Sequence, residues 1–506
     1  MKNLGVPVFR FATASALVVI SSLAVAAFGP LPCPNASKLA GGIFTGQTPM
    51  ANISELSKII TDAKRVIYAE NIEHKYLSDT LGRKEGKASA LVFPTSTAEV
   101  SAVLKFAHTN NIPVTPRGAG TNLVGSTIPH DISIIVDLSL MNHILEIDQE
   151  NFTATVEPGV ILEDFQKTVE GLGLFYPPDP GEKRASIGGN ISTNAGGMRA
   201  VKYGVTRDYV MGLELVLADG TVIQTGSKNR KDTTGLDIKD VVIGSEGTLA
   251  IITKCLLKLV GKPEKSTSLL ISFESLKAGI ETVPVLLKAN LNPTALEFIE
   301  SKVVKLGEDF LKLQWPDSEA AAYLLVTFDG SSEEIEGAIA KLKRVAEPVS
   351  KKVIVLDNAE LSQNVWKIRG CLVKAVEAVS EQEPLDIVVP ISKVDAFVNY
   401  VNQLEKESGM QMISFGHAGD GNVHLCVVRG DRPLDVWEKE LAQNLEKLYA
   451  EAHNLGGLIS GEHGLGVSKR DFFFRETAPQ NVQLMNQIKL AFDPKKLLNS
   501  NISYVK

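Results

Sequence analysis

Pro116-Arg117-Gly118-Ala119-Gly120-Thr121-Asn122 follows directly on the β-branched pair Val114-Thr115 and places two glycines one residue apart. Glycines so spaced let backbone N–H groups approach phosphate oxygens with no Cβ in the way, and such nests bind anions. The run is not a Rossmann fingerprint: the spacing differs, and no helix follows at once. Reading outward, Ile187-Gly188-Gly189-Asn190-Ile191-Ser192-Thr193-Asn194-Ala195-Gly196-Gly197 offers two Gly-Gly pairs with Asn and Thr between them. Gly244-Ser245-Glu246-Gly247-Thr248 is a third such element. Taken singly, each is an ordinary turn. Together, within about 130 residues, they point to a large phosphorylated cofactor wrapped by loops.

Between these runs the texture is mixed. Thr97–Asn110 has helical periodicity, residues 113–115 form a short strand, and residues 132–137 and 152–156 read as strands. Residues 161–172 read as a helix, and residues 249–260 as a β-branched strand closing the region. Asp219-Gly220 marks a hairpin turn between residues 213–217 and 221–224. From about residue 266 strands alternate with long helices, among them 333–346, 393–407 and 437–454. The expected architecture is α+β, with a boundary near residue 262.

A second cluster lies near the C-terminus: His417-Ala418-Gly419-Asp420-Gly421-Asn422-Val423-His424, then Gly461-Glu462-His463-Gly464. Asp420-Gly421 reads as a two-residue turn, which would set His417 opposite His424. Opposed Cβ atoms sit about 5 Å apart, close enough for two imidazoles to share a divalent ion. Glu462 could add an oxygen ligand, leaving His463 as a general base.

Composition narrows the class. The 506 residues suffice for two or three domains, and 44% hydrophobic with 22% charged residues is ordinary globular usage. A net charge of −7 argues against nucleic acid as a partner. The four cysteines (Cys33, Cys255, Cys371, Cys426) form no C-x-x-C, so neither a disulfide framework nor a Cys-ligated iron–sulfur cluster is encoded. Residues 1–49 are set apart as an N-terminal extension: no acidic residue precedes Glu55, and residues 11–28 are largely apolar. That stretch reads as a signal, an anchor or a plain extension, with Ala24-Val25-Ala26 as a small-residue cleavage site. The expected location is the cytoplasm, with membrane association left open by that segment.

The glycine elements, with Tyr176-Pro177-Pro178-Asp179-Pro180 and Lys202-Tyr203-Gly204, resemble the FAD-binding domain of vanillyl-alcohol-oxidase-type flavoproteins. Together with the His417–His424 and Glu462-His463 motifs, they resemble the FAD-linked D-2-hydroxyacid dehydrogenases, the family of glycolate oxidase, D-lactate dehydrogenase and D-2-hydroxyglutarate dehydrogenase. The resemblance spans roughly residues 55–500. It implies an FAD-binding domain over 50–262 and an α+β cap, or substrate, domain over 263–506. It implies non-covalent FAD, because Thr121 stands where some relatives carry a linking His. FAD is expected against Pro116, Arg117, Gly118, Ala119, Gly120, Thr121 and Asn122. The further contacts expected are Pro177, Asp179, Gly188, Gly189, Asn190, Thr193, Asn194, Gly197, Gly204, Glu246, Gly247 and Ile251.

The same resemblance makes His417, His424 and Glu462 ligands of zinc or manganese and His463 the catalytic base. Arg369, with help from Asn422, would hold the substrate carboxylate. The implied reaction is oxidation of a D-2-hydroxy acid, with electrons leaving to a separate acceptor: a quinone, an electron-transferring flavoprotein or an iron–sulfur partner. Val373 and Pro384 near Arg369 favour a small substrate, D-lactate or glycolate, over D-2-hydroxyglutarate; Lys374 and Lys183 are cations of open placement. A metal-dependent hydrolase would leave the glycine elements idle. A cap-less scaffold protein would lack the histidine cluster, and a non-redox flavoenzyme of this fold would reduce no acceptor.

Overall fold

The computed structural model describes residues 53–130 and 132–502. The apolar N-terminal stretch and Cys33 lie outside these residues. Among the described residues no helix is long and apolar enough to cross a membrane.

The first glycine run grows out of a βαβ unit. Ala88–Val92 leads to the helix Thr97–Asn110, which returns to Val114–Arg117, and Ser133–Asp137 pairs parallel with both strands between them. The helix starts where Ser96 Oγ accepts the Glu99 N–H at 3.3 Å and stops at Asn111, whose φ of 55° is left-handed. The strand runs two residues beyond the expected 115, so Pro116 and Arg117 belong to it. Pro116 is tolerated because this is the sheet's edge strand. That edge is covered by the C-terminus: Val114 donates to Leu497 O at 2.9 Å, and Asn499 donates to Val114 O at 2.8 Å.

A five-stranded antiparallel sheet follows, in the order Ile144–Asp148, Thr153–Val156, Ile251–Lys258, Val210–Val216, Val222–Gly226. Its last two strands form the expected hairpin, closed by Leu217 N–H to Thr221 O at 2.9 Å with Gly220 at φ +88°. Every strand of the third large sheet lies beyond residue 264. It is antiparallel and seven-stranded, ordered Lys352–Leu356, Lys265–Phe273, Ala322–Gly330, Ala295–Glu300, Met412–His417, Asn422–Val428, Gln382–Val388.

Both faces of that sheet are covered, so its inner strands Ala322–Gly330, Ala295–Glu300, Met412–His417 and Asn422–Val428 are nearly continuously buried. Leu296, Phe298, Val423, Leu425 and Ile387 enter one apolar core with the helices Leu276–Lys288, Val394–Ser408 and Leu434–Asn454. Ile299, Phe415, Ile413 and Cys426 point the other way, into a core with Ser301–Leu311 and Ala359–Gly370. Because side chains alternate, this second face also receives Glu297, His417, His424 and Asp386.

The last described residues do not stay in this half. Lys489, in the helix Pro479–Phe492, is wholly buried: its ammonium donates to Thr248 O at 2.6 Å and Leu498 O at 3.0 Å and pairs with Asp493 at 2.6 Å. Asn499 Nδ2 reaches Glu246 O at 2.7 Å and Ser126 O at 2.9 Å. Residues 479–502, which a linear division assigns to the second domain, thus pack on the first.

Candidate active site

A cavity of about 700 Å³ opens between the glycine elements and the histidine cluster. That is within the usual size of a small-molecule or cofactor site, roughly 300–1,000 Å³. One wall is the glycine cradle. Ser186 caps the helix Ile187–Thr193, and its Oγ accepts N–H bonds from Gly189 at 3.3 Å and Ala119 at 3.2 Å. This hydroxyl joins two glycine runs that are far apart in sequence. A Cβ on Gly118 would stand 2.3 Å from Ser186 Oγ, and one on Gly188 2.5 Å from Pro158 Cβ. Among the described residues, the N–H groups of Gly118, Gly120 and Thr121 find no acceptor, which is what a cradle for phosphate oxygens requires. The residues present fit FAD.

Of the expected cofactor residues, Pro116–Asn122, Gly188, Gly189, Asn190, Thr193, Glu246, Gly247 and Ile251 line this cavity. The Arg117 side chain does not serve as an anion clamp. Its guanidinium is spent on the carbonyls of Ser78 (3.2 Å) and Lys75 (2.6 Å), and it packs under Gly120, where a Cβ would stand 2.0 Å from Nη2. Pro177, Asp179, Asn194, Gly197 and Gly204 do not line the cavity either. Asp179 pairs with Lys183 and, at 3.4 Å, with Arg199. Gly197 is needed because a Cβ there would meet Asp179 O at 2.2 Å. Asn194 closes a helix at φ 51° and accepts the Arg207 N–H at 2.9 Å, while Gly204, at φ +81°, ends the helix Ala200–Tyr203. Pro177 is buried in the segment whose Tyr176 and Pro178 carbonyls accept from Gln166 Nε2. These five build the scaffold behind the cradle.

The opposite wall carries the histidines, and here the expected register is corrected. His417 pairs with Asn422, Gly416 with Val423 and Phe415 with His424. The connection is four residues long, not two, because its loop is pinned from outside. Gly419 donates to Leu296 O at 3.2 Å, and Gly421 O accepts from Val389. A slip of two residues keeps every side chain on its face, so His417 and His424 still meet, diagonally. Their Nε2 atoms lie 3.2 Å apart, and Glu462 Oε1 is 3.3 Å from His424 Nε2 and 3.6 Å from His417 Nε2. A divalent ion with ligands at about 2.1 Å imposes ligand–ligand edges of about 3 to 3.5 Å. These three atoms could hold one.

The charges are organised by carboxylates that no motif announced. Glu297, directly opposite His417 in the sheet and fully buried, takes His417 Nδ1 at 2.7 and 2.9 Å through its two oxygens. It also takes Arg369 Nε at 2.9 Å and Nη2 at 2.5 Å. Burial alone would lower the His417 pKa, but Glu297 and Glu462 outweigh it and raise the imidazolium to about 10. Burial likewise opposes the Glu462 charge, yet hydrogen bonds to His417 and His424 hold its carboxyl well below the usual range. The Arg369 fork is therefore engaged with Glu297, and Nη1 is the nitrogen that bonds no acceptor among the described residues.

Asp386 does for the loop of residues 460–464 what Glu297 does for His417. Its Oδ2 accepts three consecutive backbone N–H groups, from Gly461 (2.9 Å), Glu462 (2.8 Å) and His463 (2.8 Å), and the Ser460 hydroxyl at 3.0 Å. Burial opposes this charge, but His463, Lys469 and the ring of N–H donors keep Asp386 ionised far below its ordinary pKa. Asn422, expected on the substrate, spends its Nδ2 on Asp386 Oδ1 (2.7 Å) and Ile387 O (3.2 Å) and does not line the cavity. His463 stacks on His424, ring centroids 5.6 Å apart. Burial lowers its pKa, and its buried Nδ1 has no hydrogen-bond partner among the described residues. A third carboxylate, Glu246, joins the walls: it accepts from the Ser126 hydroxyl and from the N–H groups of Leu465 and Gly466, each at 3.1 Å.

Glu297, Asp386 and Ser186 are the residues sequence reasoning missed. Glu297 and Asp386 did leave a signal, a lone carboxylate inside an apolar strand (Ala295-Leu296-Glu297-Phe298-Ile299; Leu385-Asp386-Ile387-Val388). A charge placed there must be paired.

This geometry agrees with known proteins. Residues 88–226 match the family described as FAD binding domain, and residues 262–502 match FAD linked oxidases, C-terminal domain. The chain is 42% identical over 445 residues to D-lactate dehydrogenase of Anaerostipes hadrus, covering 86% of this chain and 94% of that protein. It is 37% identical over 453 residues to glycolate oxidase subunit GlcD of Bacillus subtilis, covering 88% and 93%. Among solved structures, p-cresol methylhydroxylase with substrate bound has a similar fold, with TM-score 0.75, 18% identity and coverage of 90% and 96%. The family matches and relatives define an FAD-dependent oxidoreductase, and its fold is that of the vanillyl-alcohol-oxidase type, an FAD-binding domain with a cap domain. Within that class, the chain belongs to the FAD-linked D-2-hydroxyacid dehydrogenase family.

Proposed function

We propose that the protein oxidises a small D-2-hydroxy acid, D-lactate or glycolate, to the 2-oxo acid and passes the electrons to a separate acceptor, a quinone or a protein. The observation that carries this reading is one cavity walled by the glycine cradle on one side and by His417, His424, Glu462 and His463 on the other. The relatives named above as D-lactate dehydrogenase and glycolate oxidase support the substrate class.

Bound FAD supplies the acceptor for the hydride leaving the substrate Cα. His417, His424 and Glu462 would hold a divalent ion, zinc or manganese, which would supply a Lewis acid to lower the pKa of the substrate hydroxyl. His463, kept neutral by burial, takes the hydroxyl proton. Arg369 offers Nη1 to the substrate carboxylate while its other edge stays fixed to Glu297. Val373, Pro384, Phe415 and Cys426 give the substrate end of the cavity an apolar wall suited to hydrogen or methyl on Cα.

D-2-hydroxyglutarate is the second reading, favoured by one residue. Lys374 lines the cavity but is exposed, whereas Lys183 is paired with Asp179 and does not reach it. The test is anaerobic addition of D-lactate, L-lactate, glycolate and D-2-hydroxyglutarate to the purified flavoprotein. Bleaching of the flavin band by D-lactate or glycolate is expected. Bleaching by D-2-hydroxyglutarate alone would transfer the assignment to the second reading, and bleaching by none would overturn the redox role.

A further inference from the structure

We propose that Glu297 is a positioning residue that ties the metal ligand His417 to the substrate-binding Arg369, so that metal affinity and substrate affinity are set by one buried carboxylate. The proposal rests on reading His417, His424 and Glu462 as a metal site.

Glu297 is fully buried in the strand Ala295–Glu300, between apolar neighbours Leu296 and Phe298. Stability alone does not call for a carboxylate there, because a buried ion pair is often no better than apolar residues of the same volume. The placement does serve geometry. Glu297 and His417 are a directly opposed cross-strand pair, so the carboxylate meets the imidazole side by side. Both oxygens lie within 2.9 Å of Nδ1, which holds a proton on that nitrogen and turns Nε2, the atom a metal would take in place of its proton, toward His424 and Glu462. The same Oε2 takes the side of the Arg369 guanidinium, which also lies over Phe415, 5.5 Å from the ring centroid. With Nε and Nη2 held, the direction of Nη1 is set by the strand that sets His417.

His424 also has a sheet carboxylate opposite it, Asp386, within 4.8 Å, but that carboxylate bonds Asn422, Ser460 and the backbone of residues 461–463, and the nearest acidic contact of His424 is Glu462. His417 is therefore the ligand whose ring is held directly by a sheet carboxylate.

The experiment compares the full-length FAD-loaded protein with its Glu297→Gln and Glu297→Asp variants. Zinc and manganese affinities are read by competition with a chromogenic chelator, and flavin content is read from the visible spectrum. Glu297→Gln is expected to bind metal 10- to 100-fold more weakly with flavin content unchanged, and to raise the KM for D-lactate by more than it lowers kcat. Glu297→Asp, which keeps the charge one methylene further back, is expected to fall between. It carries the test alone if the Gln variant does not accumulate as a folded flavoprotein. Metal affinity equal to wild type in the variants, with wild type binding metal, would overturn the role of Glu297 and leave the metal site standing. A wild-type protein that binds neither metal would overturn the site and this role together.

Discussion

The two walls of the cavity are built on opposite principles. The FAD-facing wall is made by leaving side chains out. Gly118 and Gly188 bring backbone against Ser186 and Pro158 at distances where a Cβ would collide. The histidine wall is made by putting charged side chains on one face of an apolar sheet, where each must find a partner. His417 has Glu297, and the Glu462-His463 loop has Asp386. The first wall is intolerant of added atoms and the second of removed ones. That asymmetry predicts which lesions separate flavin binding from chemistry.

The largest effect is expected at His463. His463→Ala should lower kcat by roughly 10²- to 10⁴-fold, the usual contribution of a general base, with flavin content unchanged in the visible spectrum. The pH profile follows from the direction of its shift. Burial puts the His463 pKa below 6.5, so the neutral, proton-accepting form should persist at neutral pH. Activity should fall only as the pH drops below 6.5, and a profile whose acid limb lies above 6.5 would contradict this role.

Asp386 comes next. Asp386→Ala leaves three backbone N–H groups without their acceptor and Lys469, 3.7 Å from the carboxylate, without its counter-charge, and breaking such a buried set costs about 3 kcal/mol or more. Denaturant unfolding should show that loss. The folded-state pKa lies below the unfolded value of about 3.9, so the contribution of Asp386 is present above that pH and is lost as the pH falls further. The wild type should therefore lose stability on acidification below pH 4 more steeply than Asp386→Ala does.

On the other wall, Gly118→Ala introduces a Cβ 2.3 Å from Ser186 Oγ. Overpacking of this kind costs about 1–3 kcal/mol, so flavin affinity should fall by roughly 10- to 100-fold while chelator competition reports the wild-type metal affinity. If both affinities fall together, the walls are not separable. The smallest change is expected at Lys374, exposed at the cavity rim. Lys374→Ala should alter the KM for D-lactate by less than about threefold, as for an exposed charge. A tenfold effect confined to D-2-hydroxyglutarate would shift the substrate assignment.

The same asymmetry explains what the sequence disclosed. Glycine announces itself, and so Gly118–Thr121, Gly188–Asn190 and Glu246-Gly247 were legible as cavity residues. Glycine does not say which side of the backbone needs the space, so Gly197 and Gly204 read as cofactor contacts although they serve packing against Asp179 and a helix end. That His417, His424 and Glu462 come together was legible because their residue types are rare together, and the period of two forgave the error in turn length. Glu297, Asp386 and the hold they have on Arg369 and Asn422 were not. Those pairings join positions 72, 120 and 36 residues apart, and no local pattern encodes them. The return of Lys489 and Asn499 to the first half of the chain was hidden for the same reason.

The most direct test of the account is anaerobic flavin reduction by D-lactate in one preparation, before chelation, after chelation, and after zinc or manganese is restored. The account predicts rapid bleaching, its loss with the flavin still bound, and its return with the metal. Bleaching that continues unchanged in the chelated protein would contradict it.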